Sequence, residues 1–412
     1  MKNKFLLEMK ARGYLNQCTN LDNLNQICNK NSISGYIGFD CTASSLHVGS
    51  LLQIMILKLM QKHGHRPIVL MGGGTTLIGD PSGKDVTRKI LEEKVIKKNI
   101  ISIKKVFNKI LNTTNKKTKP IFVNNSKWLT KLNYISFLRD IGSNFTINKM
   151  LTFDSVRLRL EREQSLSYME FNYMILQAYD FFQLYKKNNC ILQIGGSDQW
   201  GNIINGVELI RRKLKKESFG LTSPLITLSS GAKMGKTENG AVWLNENLYS
   251  SYDYWQFWRN TDDRDVKRFL NYFTELEPNK IEKICNEEKD INKLKILLAN
   301  QATKILHGDY ASKKAEHTAR QTFKSGGFSL DLPEIKINIA DVKKGVNLLD
   351  FLSKNKIMSS KSEARRAIIG KGLRINDQIV DNDKKVLQQL DFKEKIAKVS
   401  YGKKKHYIVK II

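Results

Sequence analysis

The sequence is short of acid. Against 69 Lys and Arg it sets 40 Asp and Glu, a formal net charge of +29, and an excess of that size attracts polyanions at long range. The chain is also crowded with Asn and Ile, which together with Lys is what an AT-rich genome encodes, so the distribution of charge says more than its total. Residues 341–412 hold 18 Lys and Arg but 8 Asp and Glu, a net +10 in 72 residues. That segment is a nucleic-acid candidate. Cysteine is scarce as well. The five (Cys18, Cys28, Cys41, Cys190, Cys285) are odd in number and widely spaced, and none forms a C-x-x-C pair, which argues against a zinc or thiol redox motif and points to a reducing, cytoplasmic setting. Long apolar runs are missing: no stretch of about 18 uncharged apolar residues occurs, so no membrane span is expected. The opening MKNKFLLEMKARG has three apolar residues in a row before Glu8, short of the h-region of a signal peptide. There is no internal repeat and no low-complexity tract.

What is present reads as a layered α/β chain. With 412 residues, 41% of them hydrophobic, two or three domains are expected at about 150 residues each. YIGFD (36–40) reads as a strand, LLQIMILKLMQKHG (51–64) as a largely buried helix stopped by Gly64, and RPIVLMGG (66–73) as a second strand. Strand, glycine-bearing turn, helix and strand make a βαβ unit and imply a parallel sheet. The pattern returns at CILQIGG (190–196), at the helix through NIINGVELIRRKL, and at a strand PLITL (224–228). Residues 127–188 read as a mostly helical insertion, and 246–323 as helical and charged. FKSGGFSLDLPEIK (323–336) reads as a linker. SSKSEARRAIIGKG (359–372) predicts a helix with a capping box from Ser360 to Glu363, and LRINDQIVDNDKKV a hairpin turning at Asn376-Asp377.

Three glycine-rich groups stand at turns of this pattern. GFDCTASSLHVGS (38–50) is the first strand-to-helix turn, where a helix N-terminus offers unpaired N–H groups suited to phosphate. Gly38 and Gly49 remove side chains where a base or ribose approaches, and Thr42 and His47 add donors; the plain alternative is a glycine turn with His47 as a helix cap. GGGTTLIGDPSGKDVTR (72–88) resembles a phosphate loop but has Asp80 where that loop needs Lys. It is either a surface turn or a strand-end site presenting Asp80, Lys84 and Arg88. GAKMGKTENG (231–240) sets Lys233 and Lys236 between glycines, able to close on phosphates with Thr237 or simply solvated.

Taken in order, Y-x-G-F-D-x-T-A-x-S-L-H-x-G, G-D-P-S-G-K, Q-A-Y-D, G-G-S-D-Q-W-G-N and K-M-G-K-T resemble class I aminoacyl-tRNA synthetases, and specifically the bacterial-type tyrosyl family with a C-terminal S4-like domain. The resemblance covers nearly the whole chain. It implies an α/β fold: a Rossmann-type parallel-sheet catalytic domain over 1–228 holding the helical insertion 127–188, the K-M-G-K-T loop and an α-helical domain over 229–323, a linker over 324–342, and a small α+β S4-like RNA-binding domain over 343–412. The implied activity is activation of L-tyrosine by ATP, followed by transfer to tRNA(Tyr). Magnesium is implied with ATP, with no protein-bound metal site, and a homodimer is implied through the insertion.

Carried over residue by residue, the resemblance gives Tyr36 and Asp180 to the substrate phenol, Asp80, Tyr173 and Gln177 to the ammonium group, and Gln199 to the carboxylate and reacting phosphate. Gly38, Asp40, Gly49, Ser50 and Asp198 face the adenosine, and Thr42, His47, Lys84, Arg88, Lys233, Lys236 and Thr237 surround the triphosphate. Lys361, Arg365, Arg366, Lys371 and Arg374 fall to the tRNA. Tyr173, Gln177 and Asp180 lie at i, i+4 and i+7 of one helix face, where polar Gln and Asp argue for a wet pocket instead of core. Tyr179, Phe181, Phe182 and Trp200 are assigned to packing. The chain departs from the family at Ser50, where His or Asn is usual. A tryptophanyl enzyme is opposed by the Tyr36/Asp180 pair, and a catalytically silent RNA-binding paralogue by the intact His47, Lys233 and Lys236.

Overall fold

The computed structural model describes residues 2–80, 91–231, 234–237, 240–325, 332–393, 395–402 and 405–412; the side chains of 155, 236, 237 and 322–325 lie outside that description. The chain forms two compact units. One comprises Met1–Gly235, Trp243–Asn245 and Arg264–Lys289; the other Lys236–Val242, Glu246–Asp263 and Asp290–Ile412. Residues 264–289, within the stretch expected as a helical domain, thus pack with the first unit.

The first unit is built on a six-stranded sheet of β1 (Gln17–Cys18), β2 (Ser34–Phe39), β3 (Arg66–Met71), β4 (Ile121–Asn124), β5 (Cys190–Gly196) and β6 (Phe219–Ser223), in the order β1-β6-β5-β2-β3-β4. All neighbours are parallel except β1 against β6. A parallel sheet is covered on both faces, which is why β3 reads as an unbroken apolar run and why Ile68, Val69, Leu70 and Met71 are all buried. From β2 the chain steps outward through β3 and β4, then returns to the other side of β2 for β5 and β6. The order therefore reverses between β2 and β5, and open α/β sheets hold their ligands at the carboxyl ends of such a pair.

The last parallel strand lies at Phe219–Ser223 and not at PLITL. FGLTS looks a poor strand because of Gly220, but a Cβ there would stand 2.3 Å from Ile203 Cγ2, so glycine is what lets the helix Trp200–Leu214 lie against the sheet. Pro224 then ends the pairing, having no N–H to donate. Strand β4 follows a loop rich in Asn, Thr and Lys and was not expected.

Two helices carry the site. Leu51–Lys62 is buried on most sides, including Leu51, Leu52, Ile54, Met55, Ile56 and Leu57. Tyr168–Asn188 starts with a reciprocal capping box between Ser167 and Glu170 and stops at Asn189 in the left-handed region, φ 48°.

In the second unit the helix Ser251–Arg259 is tied to the helical stretch Ile291–Ser325 by Trp255 Nε1 donating to Asn300 Oδ1 at 2.7 Å. A five-stranded sheet follows, in the order Gln378–Ile379, Leu373–Ile375, Ile396–Tyr401, Lys405–Ile411, Glu334–Ile337, closed over Leu348, Leu352, Ile368, Val399 and Val409. Its edge strand Glu334–Ile337 lies within the stretch read as linker. The expected hairpin turns at Asn376 and Asp377, both at positive φ (50° and 66°), the geometry of a two-residue turn that matches strand twist. The expected capping box is shifted: Ser360 Oγ accepts from Glu363 N at 3.2 Å, but the Glu363 carboxylate reaches past it to Ser359 N at 2.7 Å. No helix among the described residues is long and apolar enough to cross a membrane.

Candidate active site

A cavity of about 570 Å³ opens at the carboxyl ends of β2 and β5. Thirteen of the residues expected there line it: Tyr36, Gly38, Asp40, Thr42, His47, Gly49, Ser50, Asp80, Tyr173, Gln177, Asp180, Asp198 and Gln199. Lys84, Arg88 and Lys233 lie outside the described residues. Lys236 and Thr237 form a short strand whose side chains are likewise outside the description.

The floor is a buried carboxylate held from two sides. Asp180 Oδ2 accepts from Asn125 Nδ2 at 2.8 Å and Oδ1 from Trp128 Nε1 at 2.7 Å. Burial pushes its carboxyl up to about 7 against the pull of those two donors. On β2, opposite Gln193 of β5 in the register, Tyr36 is buried, and its hydroxyl has no hydrogen-bond partner among the described residues. Burial first, and the Asp180 charge second, hold that phenol well above its ordinary range. A buried hydroxyl without a partner costs about 1–3 kcal/mol.

The upper wall is built where two glycine-rich groups meet. His47 caps the short 3-10 turn Val48–Ser50, its Nδ1 accepting from Gly49 N at 3.0 Å, as the plain reading had it, and it also lines the cavity. Gly49 proves to serve packing: a Cβ there would lie 2.7 Å from His47 Cε1 and 2.9 Å from Met234 O. Gly235, at φ +105°, brings its α-carbon so near that a Cβ would stand 2.5 Å from His47 Nδ1. Downstream, Leu244 N donates to Leu46 O at 2.9 Å and Asn245 N to Ser45 Oγ at 3.0 Å. Both ends of the K-M-G-K-T excursion are therefore fastened to the turn 45–49. Gly38 differs from Gly49, since a Cβ there would meet only Leu70, at 3.9 Å, and its missing side chain leaves open space. Ser50 makes no side-chain cap to the helix it precedes.

Residues 29–324 match the family of tRNA synthetases class I (W and Y), and residues 324–409 the tyrosine–tRNA ligase SYY-like C-terminal domain. The chain belongs to the class I W and Y synthetases. Similar proteins include the tyrosine–tRNA ligase of Pelagibacter ubique, 60% identical over 410 residues that span 100% of each chain, and that of Bartonella quintana, 53% identical over 411 residues and 99% of each. Among solved structures, a C-terminally truncated mitochondrial tyrosyl-tRNA synthetase of Aspergillus nidulans is similar with a TM-score of 0.70 and 29% identity, over 78% of this chain and 95% of that one.

The synthetase cavity is also shaped by residues that the motifs did not single out. Asn125 bridges three groups, its Oδ1 accepting from Gly74 N at 2.7 Å while Nδ2 reaches Thr75 Oγ1 at 3.0 Å as well as Asp180. Gln199 is set by Asp80 Oδ2 at 2.9 Å and by Asn202 Nδ2, which donates to its Oε1 at 3.0 Å. Gln53 donates to Ser223 Oγ at 2.8 Å and leaves a buried Oε1 without a partner among the described residues at the cavity wall. The signal for Asn125 and Trp128 is positional: Asn125 follows directly on the carboxyl end of β4 and Trp128 lies in the short helix Ser126–Leu129 just after it. Leu225, Ile226 and Thr227, from the segment expected as a strand, form part of the rim. In the synthetase's second unit, Lys361, Arg365, Arg366, Lys371 and Arg374 are all exposed. Lys361 pairs with Asp350, and Arg365 with Asp383 at 2.9 Å. No group of three potential metal ligands occurs among the described residues.

Proposed function

We propose that this synthetase is a tyrosine–tRNA ligase whose cavity floor reads the substrate phenol. One observation carries the assignment: the partnerless Tyr36 hydroxyl beside an Asp180 carboxylate already oriented by two N–H donors. A tyrosine phenol completes that pair, accepting from Tyr36 and donating to Asp180; the indole of tryptophan has only a donor and leaves Tyr36 unanswered. Asp80, Tyr173 and Gln177 receive the ammonium group, with Asp80 held by Gln199, and Gln199 faces the reacting carboxylate. Gly38, Asp40, Ser50 and Asp198 meet the adenosine.

The chemistry needs no side-chain nucleophile. A carboxylate oxygen of tyrosine attacks the α-phosphorus of ATP, the bond from that phosphorus to the bridging oxygen breaks, and pyrophosphate leaves. Thr42, His47, Lys84, Arg88, Lys233, Lys236 and Thr237 align the triphosphate and stabilise charge as it moves onto pyrophosphate. Magnesium enters with ATP as its counter-ion. A ribose hydroxyl of the terminal adenosine of tRNA(Tyr) then attacks the tyrosyl carbonyl and releases AMP.

The C-terminal basic group, Lys361 to Arg374, receives the tRNA as an S4-like module. Dimer formation through the insertion is supported by the apolar side chains that it leaves exposed, Tyr134, Ile135, Ile147 and Tyr168 among them. Sedimentation of the wild type against Ile135→Asp tests that pairing, a monomeric mutant being the expected result. Pyrophosphate exchange across amino acids tests the activity: exchange should depend on tyrosine, and exchange driven by tryptophan, or by no amino acid, would reject it.

A further inference from the structure

From Lys94 to Lys119 the chain carries nine lysines and no Asp or Glu, a denser positive charge than that of the C-terminal domain. Six of the nine lie on the helix Glu93–Ile110. Lys94, Lys97, Lys98, Lys104, Lys105 and Lys109 are all exposed, and at 3.6 residues per turn they fall within an arc of about 140° along about 22 Å of axis. The opposite face is fully committed: Ile96, Ile103, Val106, Phe107 and Ile110 are buried, with Phe107 edge-on to Phe39 of β2 at 4.8 Å. At the start of the helix Glu93 pairs with Lys97 at 2.8 Å with both side chains more than 60% exposed, a surface contact that neutralises little.

The helix is also tied to the site. Asn99 Nδ2 donates to Cys41 O at 2.8 Å, between Asp40 and Thr42 at the cavity wall, and Asn245 Nδ2 donates to Ser102 Oγ at 3.2 Å. The lysine face thus lies about one helix diameter, 10–12 Å, from the loop that carries Asp40 and Thr42.

We propose that this lysine face, continued by Lys116, Lys117 and Lys119, is a second RNA surface that binds the phosphate backbone of tRNA beside the catalytic cavity. Positive charges spaced along a rigid axis suit a backbone of regularly placed phosphates, and such contacts orient a nucleic acid without reading its bases. A lipid surface fits less well, because a basic amphipathic helix binds membranes by burying its apolar face among the acyl chains, and here that face is occupied by the core. The inference rests on the ligase assignment for the identity of the RNA.

The test is Lys94→Gln/Lys98→Gln/Lys105→Gln in the full chain, with the triple Lys→Arg variant beside it. The probe is a transcript of tRNA(Tyr), titrated at several salt concentrations. The Gln variant should bind about ten-fold more weakly near 0.15 M salt, with a log Kd against log salt slope shallower by about two to three. The Arg variant should keep both the affinity and the slope. Tyrosine-dependent pyrophosphate exchange involves no RNA and should be unchanged in both variants; in the wild type it tests the catalytic assignment separately. Unaltered affinity and slope in a Gln variant that still exchanges pyrophosphate would overturn the proposal. So would a loss confined to binding of phosphatidylserine vesicles.

Discussion

Trp128→Phe isolates one of the two bonds that orient the cavity floor. Phenylalanine keeps an aromatic ring in the apolar surroundings of Trp128 but removes the N–H that lies 2.7 Å from Asp180 Oδ1. A hydrogen bond to a charged group contributes about 1.5–3 kcal/mol, and one pKa unit corresponds to about 1.36 kcal/mol. The Asp180 carboxyl, already raised by burial to about 7, should therefore move to about 8–9. In the proposed site the ionised form is the stronger acceptor for the substrate phenol's O–H, while Tyr36 donates to the phenol oxygen. At pH 7 the ionised fraction falls from about one half to between one and ten per cent, so tyrosine should bind about five- to fifty-fold more weakly. The deficit should shrink as pH rises towards about 9.5.

Stability responds to pH in the opposite direction. A carboxyl raised in the fold from 3.8 to about 7 binds more protons folded than unfolded, so ionisation erodes stability from about pH 4 up to about pH 7, and in the variant the erosion continues to higher pH. The measurement is the tyrosine KM in pyrophosphate exchange at saturating ATP from pH 6.5 to 9.5, with a urea titration at each end. A KM raised by the same factor at every pH would refute the reasoning and reduce Trp128 to packing.

Tyr36→Phe and Asp180→Asn should weaken discrimination of tyrosine from phenylalanine in the exchange assay, because a site built around a buried hydroxyl rejects the analogue that lacks it. Tyrosyl enzymes are the standing illustration of that rule, so the direction alone is the prediction, and unchanged discrimination in both would remove these residues from the phenol site. His47→Ala should slow adenylate formation in pre-steady-state measurements far more than it weakens tyrosine binding, since phosphate donors act most strongly in the transition state; the reverse pattern would misplace His47. Gly235→Ala forces a Cβ to within 2.5 Å of His47 Nδ1 at a backbone φ of +105°, and it should cost about 1–3 kcal/mol and slow activation at unchanged tyrosine affinity, whereas wild-type rates would show that the contact is dispensable. Truncation near Leu332 should leave adenylate formation intact and abolish tRNA charging; normal charging at physiological salt would exclude the C-terminal segment as the RNA module.

The sequence is most readable where a residue must touch a ligand group. A phosphate or phenol restricts the side chains that can serve it, so Thr42, His47, Tyr36 and Asp180 stand out within short ordered motifs, and the parallel sheet follows from apolar runs that end in glycine turns. Residues that act through other protein groups carry no such mark. Asn125 and Trp128 sit in V-N-N-S-K-W, where nothing says that both point at a carboxylate 52 to 55 residues later. Close approach hides in the same way. Gly220 reads as a strand breaker and Gly49 as a space left for a ligand, until Ile203 and His47 are seen against them. PLITL has the composition of a strand, and only the pairing of Phe219–Ser223 with β5 shows that the sheet has already taken its last parallel partner.

The bridging Asn125 constrains how this site can change over generations. Its amide serves the turn at Gly74 and Thr75 as well as Asp180, so the floor behaves as one linked group instead of separate positions. An Asp180 substitution that suits a different amino acid strands the N–H groups of Asn125 and Trp128, while replacing Asn125 first unsettles the glycine turn that leads to Asp80. Side chains coupled in this way interact by about 0.5–3 kcal/mol, enough to make each single step worse than either end point. A lineage or a selection experiment that redirects the enzyme to another amino acid should therefore acquire changes at 125, 128 and 180 together, and neutral drift at any one of the three should be rare while the other two persist.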